Sequence, residues 1–156
     1  WILPKKGFNV IEAYTNDPNV GTTTNSIKAY VKNLYDNATL TDPAPTYLLL
    51  VGDLMQIPSF SGNSGSHITD LFYCEFDGSG DFYPEMYYGR FSATTVAEVE
   101  IQVAKTLTHE KYVFAAPSFL DGIVLVAGVD GAYAPTYGNG QINYATDNYF
   151  NIELWN

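Results

Sequence analysis

The chain has 156 residues and is strongly acidic: 17 Asp and Glu residues stand against 7 Lys and Arg residues, which gives a formal net charge of -10. This balance disfavours nucleic-acid binding, because affinity for the phosphate backbone depends on clustered Lys and Arg. No apolar run of about 18 residues, the length of a membrane span, is present. The single cysteine, Cys74, excludes an internal disulfide. The length fits one domain.

The first third of the chain predicts a strand, a helix and a second strand. Residues 7–14 have the composition of a strand. A helix is expected from a cap within residues 23–25 to about residue 37, because apolar residues recur there at helical spacing: Ile27, Tyr30, Val31, Leu34 and Tyr35. The continuous apolar run at residues 47–51 is typical of a strand buried on both faces of a parallel sheet. We expect a right-handed crossover between the two strands.

The middle of the chain predicts a small hairpin or a side-by-side pair of strands. A polar loop at residues 59–66 leads to a strand-like run at residues 68–76. A further extended piece is expected at residues 86–91. The acidic segment between these two runs is therefore expected to lie in the connection that joins them.

The last third of the chain predicts two helices and one strand. Thr95 and Glu98 form a capping box for an amphipathic helix that runs to about Lys111. A second strand buried on both faces is expected at residues 123–129, followed by a helix from Gln141 to about residue 150. Residues 152–155 have the composition of a further strand that has just begun.

Carboxylates concentrate at two places in this pattern. Asp53 follows the apolar run at residues 47–51, and ligands of open α/β sheets gather at the carboxyl ends of strands. Asp77, Asp81 and Glu85 lie in one loop whose glycines permit tight turns. Carboxylates of this kind suit a hard cation such as calcium, but the spacing is not that of an EF-hand, because Tyr88 occupies the twelfth position. A solvated acidic turn is the alternative.

Five blocks of the sequence resemble the N-terminal subdomain of the gingipain-type cysteine peptidases, and most closely their lysine-specific branch. The blocks follow in chain order over nearly the whole chain: KKGFNV, VGTTTNSIKAYVKNLYDN, APTYLLLVGD, ITDLFYCEFDGSGDFYPEMYYGRFSA and IVLVAGVDG. The resemblance implies an α/β fold with three layers, a mostly parallel sheet and flanking helices, as in caspase-like domains. It also implies a secreted or cell-surface enzyme that is stabilised by calcium and cuts proteins with a Cys–His pair.

The same resemblance assigns roles to individual residues. It places Asp53, Asp77, Asp81, Glu85 and the backbone carbonyl of Tyr83 around one calcium ion, although Ser79 and Gly80 are two extra residues relative to the family pattern.

Asp130, in GVDG, matches the acidic residue that orients the catalytic imidazole; by its position alone it is equally well a turn-capping aspartate. Gln141 falls near the position where the arginine-specific branch carries a substrate-reading carboxylate. Because Gln141 is uncharged, arginine specificity is not supported and the substrate preference stays open.

The family's own catalytic motifs, a His-Gly pair and a late cysteine, do not occur in this sequence. Cys74 and His67 are seven residues apart on the strand-like run, so their side chains would project to opposite faces. We therefore interpret Cys74 as a small core residue and expect the chain to be inactive alone.

The sequence is interpreted as a single subdomain, residues 1–156, of a two-subdomain endopeptidase. It is expected to be either a truncation or a product cleaved after Asn156 that stays bound to a C-terminal portion carrying His and Cys. The alternative is a non-catalytic, calcium-stabilised module for adhesion or surface binding, for which the 13 Tyr and 9 Phe residues are suited. A nucleotide-binding fold is weakly supported, because the Gly-rich fingerprint is incomplete.

Overall fold

A computed structural model describes residues 6–63, 67–78, 80, 83–126, 131–132 and 138–150. The chain divides into two compact units, Trp1–Lys111 and Tyr112–Asn156. The first unit contains α1 (Thr24–Asp36), β1 (Tyr47–Val51), β2 (Phe60–Ser61), β3 (Ile68–Thr69), β4 (Tyr87–Phe91) and α2 (Val96–Glu110). The second contains α3 (Asn139–Tyr149). Short 3-10 turns occur at Leu71–Tyr73 and Pro117–Asp121.

The predicted first helix is confirmed, and its start is fixed by side-chain capping. The Thr23 hydroxyl accepts from the Ser26 N–H at 3.1 Å, and the Ser26 hydroxyl accepts from the Thr23 N–H at 3.1 Å. Gly21 precedes this box with a φ of 73°, and a Cβ there would lie 2.6 Å from the Ser26 hydroxyl oxygen. Both reasons restrict position 21 to glycine.

The core of the first unit forms between α1, β1 and the segment around Cys74. Its buried members are Val20, Ile27, Val31, Leu50, Tyr73, Cys74 and Met86. Ile27 and Val31 lie one turn apart on the helix face that the sequence pattern predicted. The hydrophobic stripe of α1 therefore packs where its periodicity requires.

The sheet of the first unit is a parallel pair of β1 and β4, in which Tyr47 is level with Tyr87 and Val51 with Phe91. Leu50 on β1 is buried, whereas Tyr47, Leu49 and Val51 are about half exposed. The prediction that β1 is buried on both faces is therefore wrong for one face in this structure. Alternation along the strand explains the pattern, because only Leu48 and Leu50 face the core.

Residues 7–14, predicted to be a strand, make no strand ladder with any described residue. Phe8 contacts Tyr47 edge to face, with ring centroids 5.7 Å apart, but no backbone pairing accompanies this contact. Strict alternation breaks at Ile11, which follows Val10 directly, so no single face of this segment is apolar. The predicted strand–helix–strand crossover is accordingly not formed, and β1 pairs with β4 instead.

Residues 68–76, predicted as one strand, form a short strand followed by a turn. β3 pairs antiparallel with β2, whereas the pairing predicted across the acidic loop does not form, because β4 pairs with β1. After β3 the chain coils, because the Tyr73 N–H donates to the Asp70 carbonyl and the Cys74 N–H to the Leu71 carbonyl. The extended piece predicted at residues 86–91 is confirmed as β4.

α2 begins at the predicted capping box: the Thr95 hydroxyl accepts from the Glu98 N–H, and the Glu98 carboxylate accepts from the Thr95 N–H at 3.2 Å. None of its side chains is buried in the described structure. The Gln102 amide donates to the Ser92 carbonyl at 2.8 Å, and Lys6 pairs with Glu110 at 2.6 Å. These contacts hold the middle and the C-terminal end of the helix within the first unit.

In the second unit the predicted final helix is confirmed as α3. The predicted strand at residues 123–129 is wrong for its first four residues, which are irregular and carry largely exposed side chains. An apolar run becomes a strand only when neighbouring strands complete its hydrogen bonds, and no described residue does so. Residues 127–130 and the strand predicted at residues 152–155 lie outside the described residues.

Candidate functional site: two acidic positions at opposite ends of the parallel pair

The acidic loop is closed at its base by Glu85. The Glu85 N–H donates to the Cys74 carbonyl at 2.8 Å, and the Glu85 carboxylate accepts from the Phe76 N–H at 2.6 Å. Asp77 follows at once and is exposed. Gly78 and Gly80 have φ values of 115° and 91°, which side-chain-bearing residues rarely adopt. Glu85 therefore closes the base of the loop with two hydrogen bonds, and Asp77 is exposed to solvent.

Three of the predicted calcium ligands belong to this loop by their position in the sequence: Asp77, Tyr83 and Glu85. Asp81 lies outside the described residues. Within the described part of the chain, no three His, Cys, Asp or Glu side chains are arranged to hold a metal ion. The carboxylates of Asp77 and Glu85 supply two of the oxygen-bearing groups that a calcium ion prefers, and further oxygens are needed to complete its shell of about six to eight.

Asp53 is not brought to this loop. Its N–H donates to the Ala93 carbonyl at 2.9 Å, beyond the carboxyl end of β4, whereas Glu85 precedes the start of that strand. β4 has five residues, and at about 3.3 Å per residue it separates the two positions by about 16 Å. Asp53 and Glu85 cannot coordinate one ion across this distance. The predicted ligand set therefore divides into two positions.

At the carboxyl end of the sheet, Asp53 is held as an ionised carboxylate. The Ser92 hydroxyl donates to Asp53 Oδ1 at 2.8 Å. This bond, the Leu54 backbone N–H and the charge of Arg90 together lower the pKa of Asp53 below its usual range. The preceding Gly52 has a φ of 142°, and a Cβ there would come within 2.8 Å of Gln56. The sharp exit from β1 thus depends on glycine.

Arg90 is the central residue at this end, and sequence reasoning missed it. Its Nε donates to Asp70 Oδ2 at 2.7 Å, and its Nη2 donates to Asp70 Oδ1 at 2.8 Å and to Ser59 at 3.1 Å. Its Nη1 donates to the carbonyls of Gly52 and Ile57 at 2.8 and 2.9 Å. All five N–H donors of the guanidinium are therefore used. The available signal was a lone arginine within an otherwise apolar strand.

A half-open cavity of about 190 Å³ lies beside these residues, lined by Asp53, Leu54, Ser59, Ile68, Thr69, Asp70, Arg90 and Ser92. Arg90 and Asp70 cancel in charge, which leaves the carboxylate of Asp53 as the net charge of the lining. Because every Arg90 donor is already bonded, the cavity offers oxygen acceptors rather than a free cationic donor. The lining thus carries a single net negative charge beside the apolar side chains of Leu54 and Ile68.

Cys74 is fully buried, as predicted for a core residue. Burial, followed by the charge of Glu85, raises the pKa of the thiol to about 12. A thiol with this pKa stays protonated at neutral pH and is a poor nucleophile. Cys74 and His67 do not lie on one strand as predicted, because Cys74 follows a 3-10 turn. The His67 ring lies against Gly62.

The two residues predicted to act on the substrate side lie in the second unit. Asp130 is outside the described residues. Gln141 lies in the first turn of α3 and is exposed. The role of each stays a prediction.

Comparison with known proteins identifies the family. The profile of Peptidase family C25 matches residues 6–153, almost the full length. The chain belongs to peptidase family C25. This confirms the resemblance inferred from the five sequence blocks.

Within family C25, the chain is 37% identical over 153 residues to Lys-gingipain of Porphyromonas gingivalis, which covers 97% of the chain and 9% of that protein. Gingipain R2 of the same species is 28% identical over 126 residues, 81% of the chain and 16% of that protein. A solved structure titled "Structure of Protease" superposes with a TM-score of 0.81 at 36% identity, over 95% of the chain and 32% of the solved one. The chain thus spans about a tenth of the length of Lys-gingipain.

The first-unit architecture agrees with this assignment at the level of a mixed α/β fold with a small parallel sheet. None of the helices in the described ranges combines the length and apolar character needed to cross a membrane.

Proposed function

We propose that the chain is the N-terminal subdomain of a gingipain-like cysteine endopeptidase with a three-layer, caspase-like fold. The observation that carries this proposal is the match to family C25 together with a buried, protonated Cys74. Cys74 is the only cysteine in the sequence, so the nucleophile must belong to residues outside it. The chain alone is then inactive, and its partner is the portion of the same precursor that supplies Cys and His. The enzyme is secreted or held at the cell surface in this proposal, as the family resemblance implies.

In this proposal the chain contributes the groups that support the reaction. Asp130 accepts the N–H of the catalytic imidazole, which fixes the ring's tautomer and stabilises its charged form while the thiol loses its proton. Gln141 contacts the substrate side chain through an uncharged amide, which accepts or donates hydrogen bonds without selecting for arginine. The substrates are proteins or peptides.

We further propose that calcium stabilises the subdomain at the acidic loop. The supporting observations are the exposed Asp77 carboxylate and the loop base closed by Glu85. Asp77, Asp81, Glu85 and the carbonyl of Tyr83 would hold the ion, whose charge offsets the mutual repulsion of the three carboxylates. Asp53 lies at the other end of β4 and takes no part in this site.

The endopeptidase proposal is tested by labelling the full-length protein with a thiol-directed peptide inhibitor and mapping the modified cysteine by mass spectrometry. We expect the label on a cysteine outside residues 1–156, and no label on Cys74. A Cys74→Ser variant is the matched control and should be labelled as fully as the parent. Labelling of Cys74 in the folded protein would contradict the proposal.

A second candidate function is a non-catalytic module for adhesion or surface binding. The observation that favours it is a row of exposed aromatic rings: Phe8 against Tyr47, and Tyr47 stacked on Tyr87 at 5.4 Å. Tyr47 is 60% and Tyr87 70% exposed, which is typical of rings that contact a partner. Full-length protein that binds a surface ligand but cleaves no peptide would support this function over the first.

A further inference from the structure

α2 ends at Lys111, and the backbone changes conformation directly after it. The Lys111 N–H closes the helical ladder by donating to the Leu107 carbonyl at 3.0 Å. Tyr112 then has a φ of 54°, a left-handed conformation that residues with a side chain rarely adopt. Residues 112–116 form neither helix nor strand. The Lys111–Tyr112 peptide bond therefore lies just outside the last turn of the helix.

This peptide bond is accessible from solvent. Lys111, Tyr112 and Val113 are all exposed, and Tyr112 is 71% exposed. In sequence, Lys111 is also the last residue of the first compact unit. Exposed segments without regular structure are the preferred sites of proteolytic cleavage, because the peptide bond must leave its neighbours to enter a protease.

The other lysines of the described structure are less available to a protease. Lys28 and Lys32 lie in α1 and Lys105 lies in α2. In an α-helix the carbonyl of each interior residue accepts from the N–H four residues later, so the bond after each of these lysines is held in a ladder. The ammonium of Lys6 is bound to Glu110 at 2.6 Å. Lys111 combines an exposed side chain with a peptide bond outside the ladder.

We propose that the Lys111–Tyr112 bond is a processing site, which a lysine-specific endopeptidase cuts in the folded protein. Water adds across the amide, so that the Lys111 carbonyl carbon becomes a carboxylate and the Tyr112 nitrogen leaves as an amine. The Lys111 side chain is available for recognition, because it makes no ion pair with any described residue. This inference goes beyond the proposed function and does not depend on activity of the chain itself.

The backbone explains why this bond is cut before those in the helices. The last carbonyls of a helix have no intrahelical partner, so opening the chain at Lys111 breaks few hydrogen bonds. Opening also releases Tyr112 from its left-handed conformation. Cleavage of a folded protein follows the population of the locally opened state. Lys111 should therefore be cut on the order of 100-fold faster than Lys105, which lies within α2.

Cleavage would divide the proposed functional groups between two chains. Asp77 and Glu85 stay on the product that ends at Lys111, whereas Asp130 and Gln141 belong to the product that begins at Tyr112. This consequence, unlike the site itself, rests on the proposed function. A single cut would then break the covalent connection between the calcium loop and the groups on the substrate side without altering either.

The test is brief digestion of the folded full-length protein with a lysyl endopeptidase, in which new N-termini are identified and timed by mass spectrometry. The variants are Lys111→Gln, and Lys105→Gln as a matched control, because Lys105 is also exposed but lies within α2. The same digestion in urea measures the preference of the protease for each site in the unfolded chain.

Within residues 7–156 we expect the first new N-terminus at Tyr112, with Thr106 appearing on the order of 100-fold more slowly. Lys111→Gln should remove the first cut, Lys105→Gln should leave it unchanged, and in urea the two sites should be cut at similar rates.

A first cut after one of the helical lysines, or no cut after Lys111 before the protein unfolds, overturns the inference. A preference for Lys111 that persists in urea also overturns it, because the preference would then belong to the local sequence rather than to the fold. None of these outcomes affects the cysteine labelling that tests the endopeptidase proposal, so the two can fail separately.

Discussion

Arg90→Lys should destabilise the first unit although the positive charge is retained. The side chains of Arg90 and Asp70 are only 11% and 16% exposed, so their ion pair is not a solvent-screened surface contact. Lysine has three donors and no planar fork, so it cannot reach Asp70, Ser59 and the carbonyls of Gly52 and Ile57 together.

The magnitude follows from the bonds that are lost. If lysine keeps two of the hydrogen bonds, about three are lost, and at about 1 kcal/mol each the loss is about 3 kcal/mol. The total stability of a domain is about 5–15 kcal/mol, so this is a large fraction of it. The melting temperature should fall by about 10 °C.

The assay is urea unfolding followed by circular dichroism, on the parent, Arg90→Lys, Asp70→Asn and the double variant. Arg90 is the sole arginine of the chain, so Lys105→Ala on the exposed face of α2 serves as the control for a lost positive charge. A coupling energy above about 1 kcal/mol between positions 70 and 90 is expected. A loss below 1 kcal/mol for Arg90→Lys, or strict additivity in the cycle, would refute the reasoning that Arg90 binds the end of β1 to the β2–β3 hairpin.

Three further predictions concern pH, calcium and the proposed orienting residue. Burial opposes ionisation of Asp70, but hydrogen bonds from Arg90 and Ser59 outweigh it and lower the pKa of this carboxyl. The contribution of Asp70 to the free energy of unfolding is therefore complete above the unfolded pKa of about 3.9 and is lost as the pH falls through the lower folded pKa. In urea melts at a series of acidic pH values, Asp70→Asn should show a weaker dependence of stability on pH than the parent. Asp77→Ala should lower the melting temperature only when calcium is present, and a parent that melts equally with and without chelator would contradict the loop site. Asp130→Asn in the full-length enzyme should reduce kcat by orders of magnitude with little change in stability; unchanged turnover would remove Asp130 from the mechanism.

Elements that depend on local patterns were predictable from the sequence. α1 begins at Thr23, one of the three candidate caps, and α2 begins at the predicted Thr95, because a cap and an amphipathic stripe are encoded within a few turns of chain. α3 and β4 were also located correctly. The core position of Cys74 was expected, because a free cysteine without a catalytic partner packs as a small hydrophobe. The sequence blocks were sufficient to name the family.

Strands were harder to predict, because a strand exists only through its partner. Residues 7–14 and 123–126 have strand composition but find no ladder among the described residues. Within residues 68–76 the strand ends at Thr69, and the next residue, Asp70, is bound by Arg90, twenty positions away in sequence. No local pattern contains that contact.

The sequence by itself determined the family, the helices and the identity of the acidic residues. The tertiary structure decided which of those residues are neighbours. The parallel register of β1 and β4 places Asp53 beyond one end of the sheet and Glu85 before the other, although both had been assigned to one ion. It also placed Arg90 among two carbonyls, a hydroxyl and a carboxylate from four positions along the chain. Register and long-range hydrogen bonding are properties of two segments together, and so they cannot be read from either segment alone.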